Sequence, residues 1–228
     1  MPKLDRFFDQ EFESLKRQTL EMGASVEIAI SHAITGLIER SLTSFEQVHE
    51  VEKKINGYHI SIDETCLRIL ARQAPLASDL RFVLSCVKIN SDLERMGDQA
   101  VNISYAGRHY IGVAPLKPLI DLPRMADEVR KMTRISLDAF VRRDEALARE
   151  VIQNDDIVDN FKHAIFKELT EIMKASPDAV ERAMDLILIS RNLERIGDHA
   201  TNIAEDVIFA ASGIDIRHGA GLIGRPGT

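Results

Sequence analysis

The sequence predicts an all-α protein, a tandem duplication of two three-helix bundles with six long antiparallel helices, and three observations carry that prediction. The segment Asp92-Leu-Glu-Arg-Met-Gly-Asp-Gln-Ala-Val-Asn-Ile103 returns one hundred residues later as Asn192-Leu-Glu-Arg-Ile-Gly-Asp-His-Ala-Thr-Asn-Ile203, with eight of the twelve positions identical. The chain is rich in Leu, Ala, Ile, Glu and Arg, has no Trp and only three Tyr, and keeps most of its Gly to corners and the last stretch, which suits helices rather than sheets. Apolar residues recur every three or four positions along long stretches, and the stretches are separated by corners of a few residues. Long helices joined by such short corners must fold back antiparallel.

The first helix is predicted from Leu4 to about Glu39, where Phe8, Phe12, Leu15, Leu20, Met22, Val26, Ile30, Ala33, Ile34 and Leu37 keep a helical period opposite a charged face. The second begins near Ser44 and runs through Val48, Val51, Ile55, Tyr58, Ile62, Cys66, Ile69 and Leu70 to Ala74-Pro75, because proline disfavours helix in the residue before it. The third occupies about Leu76 to His109, and Gly112 to Pro118, with two prolines, is a linker. The pattern then repeats over about Leu119–Val141, Asp144–Lys174 and Pro177–Ala211, with Ser176-Pro177 matching the earlier proline corner. Residues 1–111 therefore form the first bundle, residues 119–211 the second, and the Gly-rich, aperiodic residues 212–228 a flexible C-terminal tail. That tail holds Gly219-Ala-Gly-Leu-Ile-Gly224, a dinucleotide-binding pattern in letters only, since neither a strand before it nor a helix after it is predicted.

A formal charge of −7 and a pI near 5.5 argue against a binder of nucleic-acid backbone, which needs a concentrated basic face. Cys66 and Cys86 lie among apolar neighbours without the paired spacing of a zinc or redox motif, so they read as buried core thiols, as suits a reducing cytoplasm. The start of the chain lacks the apolar core of a signal peptide, and no apolar run approaches the ~20 residues of a spanning helix. A soluble, cytoplasmic protein is expected, reaching a membrane only through partners.

At 100° per residue, Leu93, Met96, Gly97, Ala100 and Ile103 gather on one side of the third helix, while Glu94, Asp98 and Asn102 run along an adjacent flank. The second copy repeats the flank with Glu194, Asp198 and Asn202. Acids at i and i+4 repel, so a positive partner is required: Arg95 and Arg195 on one reading, a bound cation on the other. The middle helices offer further oxygen ligands, Asp155 and Asp159 in the second half and Glu52 with Asn56 in the first. Such hard donors suit magnesium, manganese, calcium or iron better than the thiolate and imidazole sites of structural zinc do. The alternative is a solvated polar face. Gly97 and Gly197 each cost about 1 kcal/mol inside a helix relative to Ala, which predicts close helix approach there.

Enzymatic constellations are not found. A ferritin-like di-iron site needs Glu-x-x-His on two helices, and His199, directly after Asp198, points away from the acidic flank. His49-Glu50 lacks the second histidine of a zinc-protease motif, and no nucleophile, base and orienter come together.

These residues resemble the PhoU family of phosphate-transport regulators over about residues 4–211, most specifically in Glu94-Arg-Met-Gly-Asp98 and Glu194-Arg-Ile-Gly-Asp198. Asp63-Glu-Thr-Cys-Leu-Arg-Ile-Leu-Ala-Arg-Gln-Ala-Pro-Leu-Ala-Ser-Asp-Leu-Arg81 is similar to the family's second helix and the Pro-x-x-x-Asp-Leu-Arg corner after it. The resemblance implies two three-helix repeats whose acid-x-x-x-acid motifs hold clusters of divalent or ferric ions, with iron, manganese, magnesium and zinc as candidates. It implies metal ligation by Glu94, Asp98, Glu194, Asp198, Asp155 and Asp159, while the amide of Asn56 beside Glu52 departs from the motif. It also implies a non-enzymatic negative regulator of the phosphate-starvation response and phosphate uptake. Such a protein is a cytoplasmic homodimer, peripheral at the inner membrane face. It is an adaptor between the ATPase subunit of the phosphate ABC transporter and the phosphate-sensing histidine kinase. The alternatives are a metal-carboxylate (iron or manganese) helical-bundle enzyme or metal store, and a structural helical protein without ligand.

Overall fold

The structure, a computed structural model, describes residues 2–73, 75 and 78–216, with side chains from Gln10 onward except Gln73. Among the described residues there are six long helices: α1 (Pro2–Ile38), α2 (Leu42–Gln73), α3 (Ser78–Ile111), α4 (Asp121–Arg142), α5 (Glu145–Ala175) and α6 (Val180–Ser212). No strand occurs among the described residues. The predicted contribution of Phe8, the corner residue Ala74, the start of the third helix at Leu76 and the tail beyond Ile216, with Gly219–Gly224, lie outside the described residues.

The helix ends follow local chemistry, and the two halves use the same first corner. At the α1–α2 turn Arg40 takes a left-handed backbone (φ 54°) and Ser41 caps α2, accepting at Oγ from the backbone N–H of Ser44 at 3.2 Å. At the α4–α5 turn Arg143 takes φ 53° and Asp144 caps α5, accepting from the N–H groups of Ala146 and Leu147 at 2.9 and 3.2 Å. A left-handed arginine is unfavourable in isolation, but both side chains are anchored. Arg40 donates to the carbonyls of Ile111 and Val113, and the Arg143 guanidinium lies 5.0 Å from the Phe82 ring centroid. The sixth helix was predicted to begin at Pro177; instead Pro177–Ala179 forms a single 3-10 turn and α6 starts at Val180. The tighter turn closes with Ala179 N–H donating to Ser176 O at 3.0 Å, a bond that does not need the N–H that proline lacks.

Helices α1–α3 make one bundle and α4–α6 the other, and the two halves merge. Among the described residues the most extensive helix contact joins α3 to α6, and α1 also meets α4, so the apolar side chains of both halves form one continuous core. Cross-helix bonds show that α3 and α6 run antiparallel: Ser85 reaches Asp206, Asp92 reaches His199, and His109 reaches Asp185. With a repeat shift of one hundred residues, this register puts the pseudo-twofold axis at the level of Met96 and Ile196, both fully buried. A stack of Phe12, Phe82 and Phe140, with centroids 5.3 and 5.2 Å apart, ties α1 and α3 to α4 of the other half. Cys66 and Cys86 are buried free thiols, as the sequence suggests, and burial pushes the Cys66 thiol up to about 12. Among the described residues no helix is long and apolar enough to cross a membrane.

Candidate functional site

The duplicated acids occupy the outer grooves of the two bundles, where α2 packs on α3 and α5 packs on α6. The approach is tight at Gly97, whereas Gly197 leaves room for an ordinary Cβ contact against the expectation of close approach there, and the two glycines fix which residues correspond. A Cβ on Gly97 would meet Ile55 at 3.0 Å, and a Cβ on Gly197 would meet Val158 at 3.4 Å. Ile55 of α2 and Val158 of α5 are therefore equivalent, and so are Glu52 and Asp155, Asn56 and Asp159, and His59 and Lys162.

In the second half the acids influence one another across the groove. Partial burial first, then the charges of Glu194, Asp155 and Asp159, push the Asp198 carboxyl up to about 6, with His199 acting the other way. Burial and then the charge of Asp159 raise Asp155 as well, opposed by the hydroxyl of Thr201 at 3.4 Å. The positive partner is Lys162, whose ammonium donates to Glu194 Oε1 at 2.7 Å and to Asp159 Oδ1 at 3.0 Å. The bond to Glu194, ahead of that to Asp159, holds the lysine above its ordinary range. The predicted arginine partners do not serve. Arg95 and Arg195 are exposed, and among the described residues no ion pair joins them to Asp98 or Asp198. Each arginine sits 100° round the helix from its glutamate, so a long side chain leaves the flank for solvent. The signal for Lys162 was in the sequence, since it stands three residues after Asp159 and seven after Asp155 on one helix face.

The first half is poorer in charge. Half-buried Glu52 accepts from Asn56 Nδ2 at 2.5 Å, and partial burial followed by the charge of Glu52 raises the exposed Asp98. Glu94 is half-buried on the same flank. His59, at the position of Lys162, turns its Nε2 toward Asp63 at 3.6 Å.

The two asparagines stand one turn further along each helix than the aspartates. Asn102 is exposed, and Asn202 donates instead to Asp92 Oδ1 of α3 at 3.4 Å. Eight residues along a helix is 800°, so a third member of an i, i+4, i+8 row drifts 80° off the flank. His199 also faces α3, with Nδ1 2.8 Å from Asp92 Oδ1, in agreement with its predicted direction away from the acids.

The donors fit a hard cation in chemistry and charge: carboxylates from two helices, with a lysine ammonium already held between two of them. They do not converge on one point: among the described residues no group of three or more His, Cys, Asp or Glu side chains is arranged to hold a metal ion. Beside the second set, and sharing Lys162 and Glu194 with it, runs an open groove of about 450 Å³ whose lining also includes His163, Phe166, Ile187 and Arg191.

Comparison with known proteins decides the family. The PhoU domain matches residues 19–106 and again residues 122–207. The chain belongs to the PhoU family. The phosphate-specific transport system accessory protein PhoU homolog of Pseudomonas putida is 41% identical over 213 residues, covering 92% of this chain and 83% of that protein. The PhoU accessory protein of Escherichia coli strain K12 is 32% identical over 214 residues, covering 94% of this chain and 89% of its own. Among solved structures, PhoU from Pseudomonas aeruginosa superposes with a TM-score of 0.87 at 38% identity over 91% of this chain and all of that one. The phosphate transport system regulatory protein PhoU from Streptococcus pneumoniae gives 0.84 at 29% identity over 92% of this chain and 99% of its own. In this PhoU chain both matched stretches contain the Glu-Arg-x-Gly-Asp core and the middle-helix oxygens opposite it.

Proposed function

We propose that this chain is a negative regulator of phosphate uptake and of the phosphate-starvation response. It acts as a cytoplasmic adaptor between the ATPase subunit of a phosphate ABC transporter and a phosphate-sensing histidine kinase, at the inner membrane face and as a homodimer. The observation that carries the reading is the two-repeat PhoU match, with relatives named for phosphate-specific transport that cover more than nine-tenths of the chain. An adaptor works through surfaces, and the charged outer grooves and the groove beside Lys162 are surfaces a partner can read. No reaction is assigned to the chain.

The same reading includes a divalent or ferric ion (iron, manganese, magnesium or zinc) on the flanks formed by Asp155, Asp159, Glu194 and Asp198 and by Glu52, Glu94 and Asp98. Such an ion would neutralise the repelling acids, tie the middle helix of each half to the last, and change the charge a partner meets. The test is genetic and biochemical. Loss of the gene should switch phosphate-uptake genes on in high phosphate, removal of the kinase should reverse that, and tagged protein from phosphate-replete cells should bring down the ATPase and the kinase. A reporter that stays repressed in the deletion at high phosphate refutes the regulatory reading and favours a metal-carboxylate enzyme or store.

A further inference from the structure

The outer grooves of the two halves are equivalent in position but have diverged at one end. In the first half that end is closed by its own polar contacts. Asn90 of α3, fully buried, donates through Nδ2 to Asp63 Oδ1 and to the His59 carbonyl of α2, both at 2.9 Å. In the second half Phe166 stands in place of Asp63, and Ser190 in place of Asn90. A phenyl ring cannot accept that bond, and Ser190 Oγ donates to Ile187 O of its own helix at 2.9 Å. The tie is lost, and the open groove of about 450 Å³ runs between α5 and α6 at that level.

Charge has changed along with shape. Arg191 lines the second groove where the first half has Ser91, and Phe166 replaces an acid. Arg191 is exposed and makes no ion pair among the described residues, although the chain as a whole carries a net charge of −7. Phe166 is 54% exposed, and Leu188 and Met184, about one and two turns before Arg191 on the same face of α6, are 43% and 44% exposed. A single exposed apolar side chain is ordinary, but three of them on and beside one groove, with an unpaired arginine, make a binding surface.

We propose that this groove docks an acidic segment of a partner protein, with an apolar side chain of the segment on Phe166 and Ile187 and a carboxylate on Arg191. A carboxylate there meets a guanidinium that has no partner in the chain and can bond it through two parallel N–H groups. Covering the exposed part of the Phe166 ring adds affinity, as aromatic side chains do at the centres of interfaces. Glu194, in the same groove, is already neutralised by Lys162 at 2.7 Å. An anionic membrane fits less well, because a flat sheet of negative charge brought to this face also meets Asp159, Asp198 and the field of an acidic chain. The first half, with Asp63 and Ser91 at the corresponding positions, does not take the segment, so the duplicated chain docks it on one half only. The inference gives the adaptor reading above the chemistry of one partner, and its test does not depend on which protein supplies the segment.

In the experiment, full-length protein selects binders from a phage library of random short peptides. Recovered peptides are then synthesised and their Kd measured by fluorescence anisotropy on the parent and its variants. The peptides should be net negative and contain an aromatic or leucine side chain. Phe166→Asp with Arg191→Ser, which gives the second groove the residues of the first, should weaken them by roughly tenfold or more, and added salt should weaken them on the parent. Arg195→Ser, which removes an exposed charge outside the groove lining, should leave binding near the parent. Circular dichroism checks that each variant stays helical, and Arg191→Ser alone serves if the double variant does not fold. Failure to recover peptides, recovery of neutral or basic ones, or equal binding to parent and double variant overturns the proposal. So does sedimentation of the parent, but not the double variant, with phosphatidylglycerol vesicles when acidic peptides do not bind. If acidic peptides bind as expected but deletion of the gene leaves the reporter repressed, the regulatory reading alone fails and the docking groove stands.

Discussion

Asp198 is the residue on which the electrostatics of the second flank converge. Its carboxyl is raised to about 6 by partial burial and then by Glu194, Asp155 and Asp159. A carboxyl whose folded value lies above its unfolded one binds protons more tightly in the folded state. Its ionised form therefore weighs against folding once the pH has risen through about 6, and that penalty fades as the pH falls back through the range and is gone below the ordinary aspartate value of about 4. In the presence of chelator, Asp198→Asn should raise the melting temperature at pH 7.5 and lose that advantage by pH 4. An Asp198→Asn variant that melts no higher than the parent at pH 7.5 would show that the neighbouring acids are already neutralised, with Lys162 as the agent. Metal content by mass spectrometry in protein purified without chelator should fall for Asp98→Ala and Asp198→Ala, with helicity retained.

At the scale of helices, the glycines separate into those that permit contact and those that do not. Gly36 of α1 and Gly107 of α3 both lie against the fully buried Phe45 of α2, and a Cβ at either would come within 2.6 or 2.5 Å of its ring. Phe45 thus locks three helices of the first half. Gly107→Ala should cost about 1–3 kcal/mol through overpacking, read as a shift in the urea midpoint. Gly57, exposed within α2 with nothing within 4 Å of its missing Cβ, is the contrast. Gly57→Ala should stabilise by up to about 1 kcal/mol because it only removes backbone freedom from the unfolded chain. The α5 cap gives a third measure: Asp144→Ala releases the N–H groups of Ala146 and Leu147 and should cost about 1 kcal/mol.

The whole molecule depends on the seam between its halves. Lys88 of α3 donates to the buried Asp206 of α6 at 3.1 Å, and its ammonium lies 5.1 Å from the Phe209 ring centroid. Lys88→Met, which removes one partner of a buried carboxylate, should cost about 1.5–3 kcal/mol. The seam is also where the duplicated halves have diverged. Asp92 pairs with His199, whereas their repeat counterparts, Asn192 and Gln99, leave Gln99 Oε1 buried without a partner. Because α3 and α6 share the core, thermal unfolding should be one transition with equal calorimetric and van't Hoff enthalpies, and residues 1–114 expressed alone should expose the α3 seam and aggregate. Two resolved transitions would show that the halves unfold separately.

Helix number, order and most boundaries were legible in the chain because they depend on periodicity, caps and proline, all of which act within a few residues. The acid pairs on the flanks were legible for the same reason, since residues four apart on a helix share a face whatever surrounds them. Which charges meet was decided only by tertiary packing. Lys162 reaches Glu194 across thirty-two positions and Asn202 turns to Asp92 across one hundred and ten, while among the described residues no ion pair joins Arg95 or Arg195 to Asp98 or Asp198. The merging of the two bundles was likewise beyond local pattern. The repeated segment marks α3 and α6 as alike, but only the folded chain brings their apolar sides together antiparallel about the Met96–Ile196 level, because burying that shared face needs both halves in place.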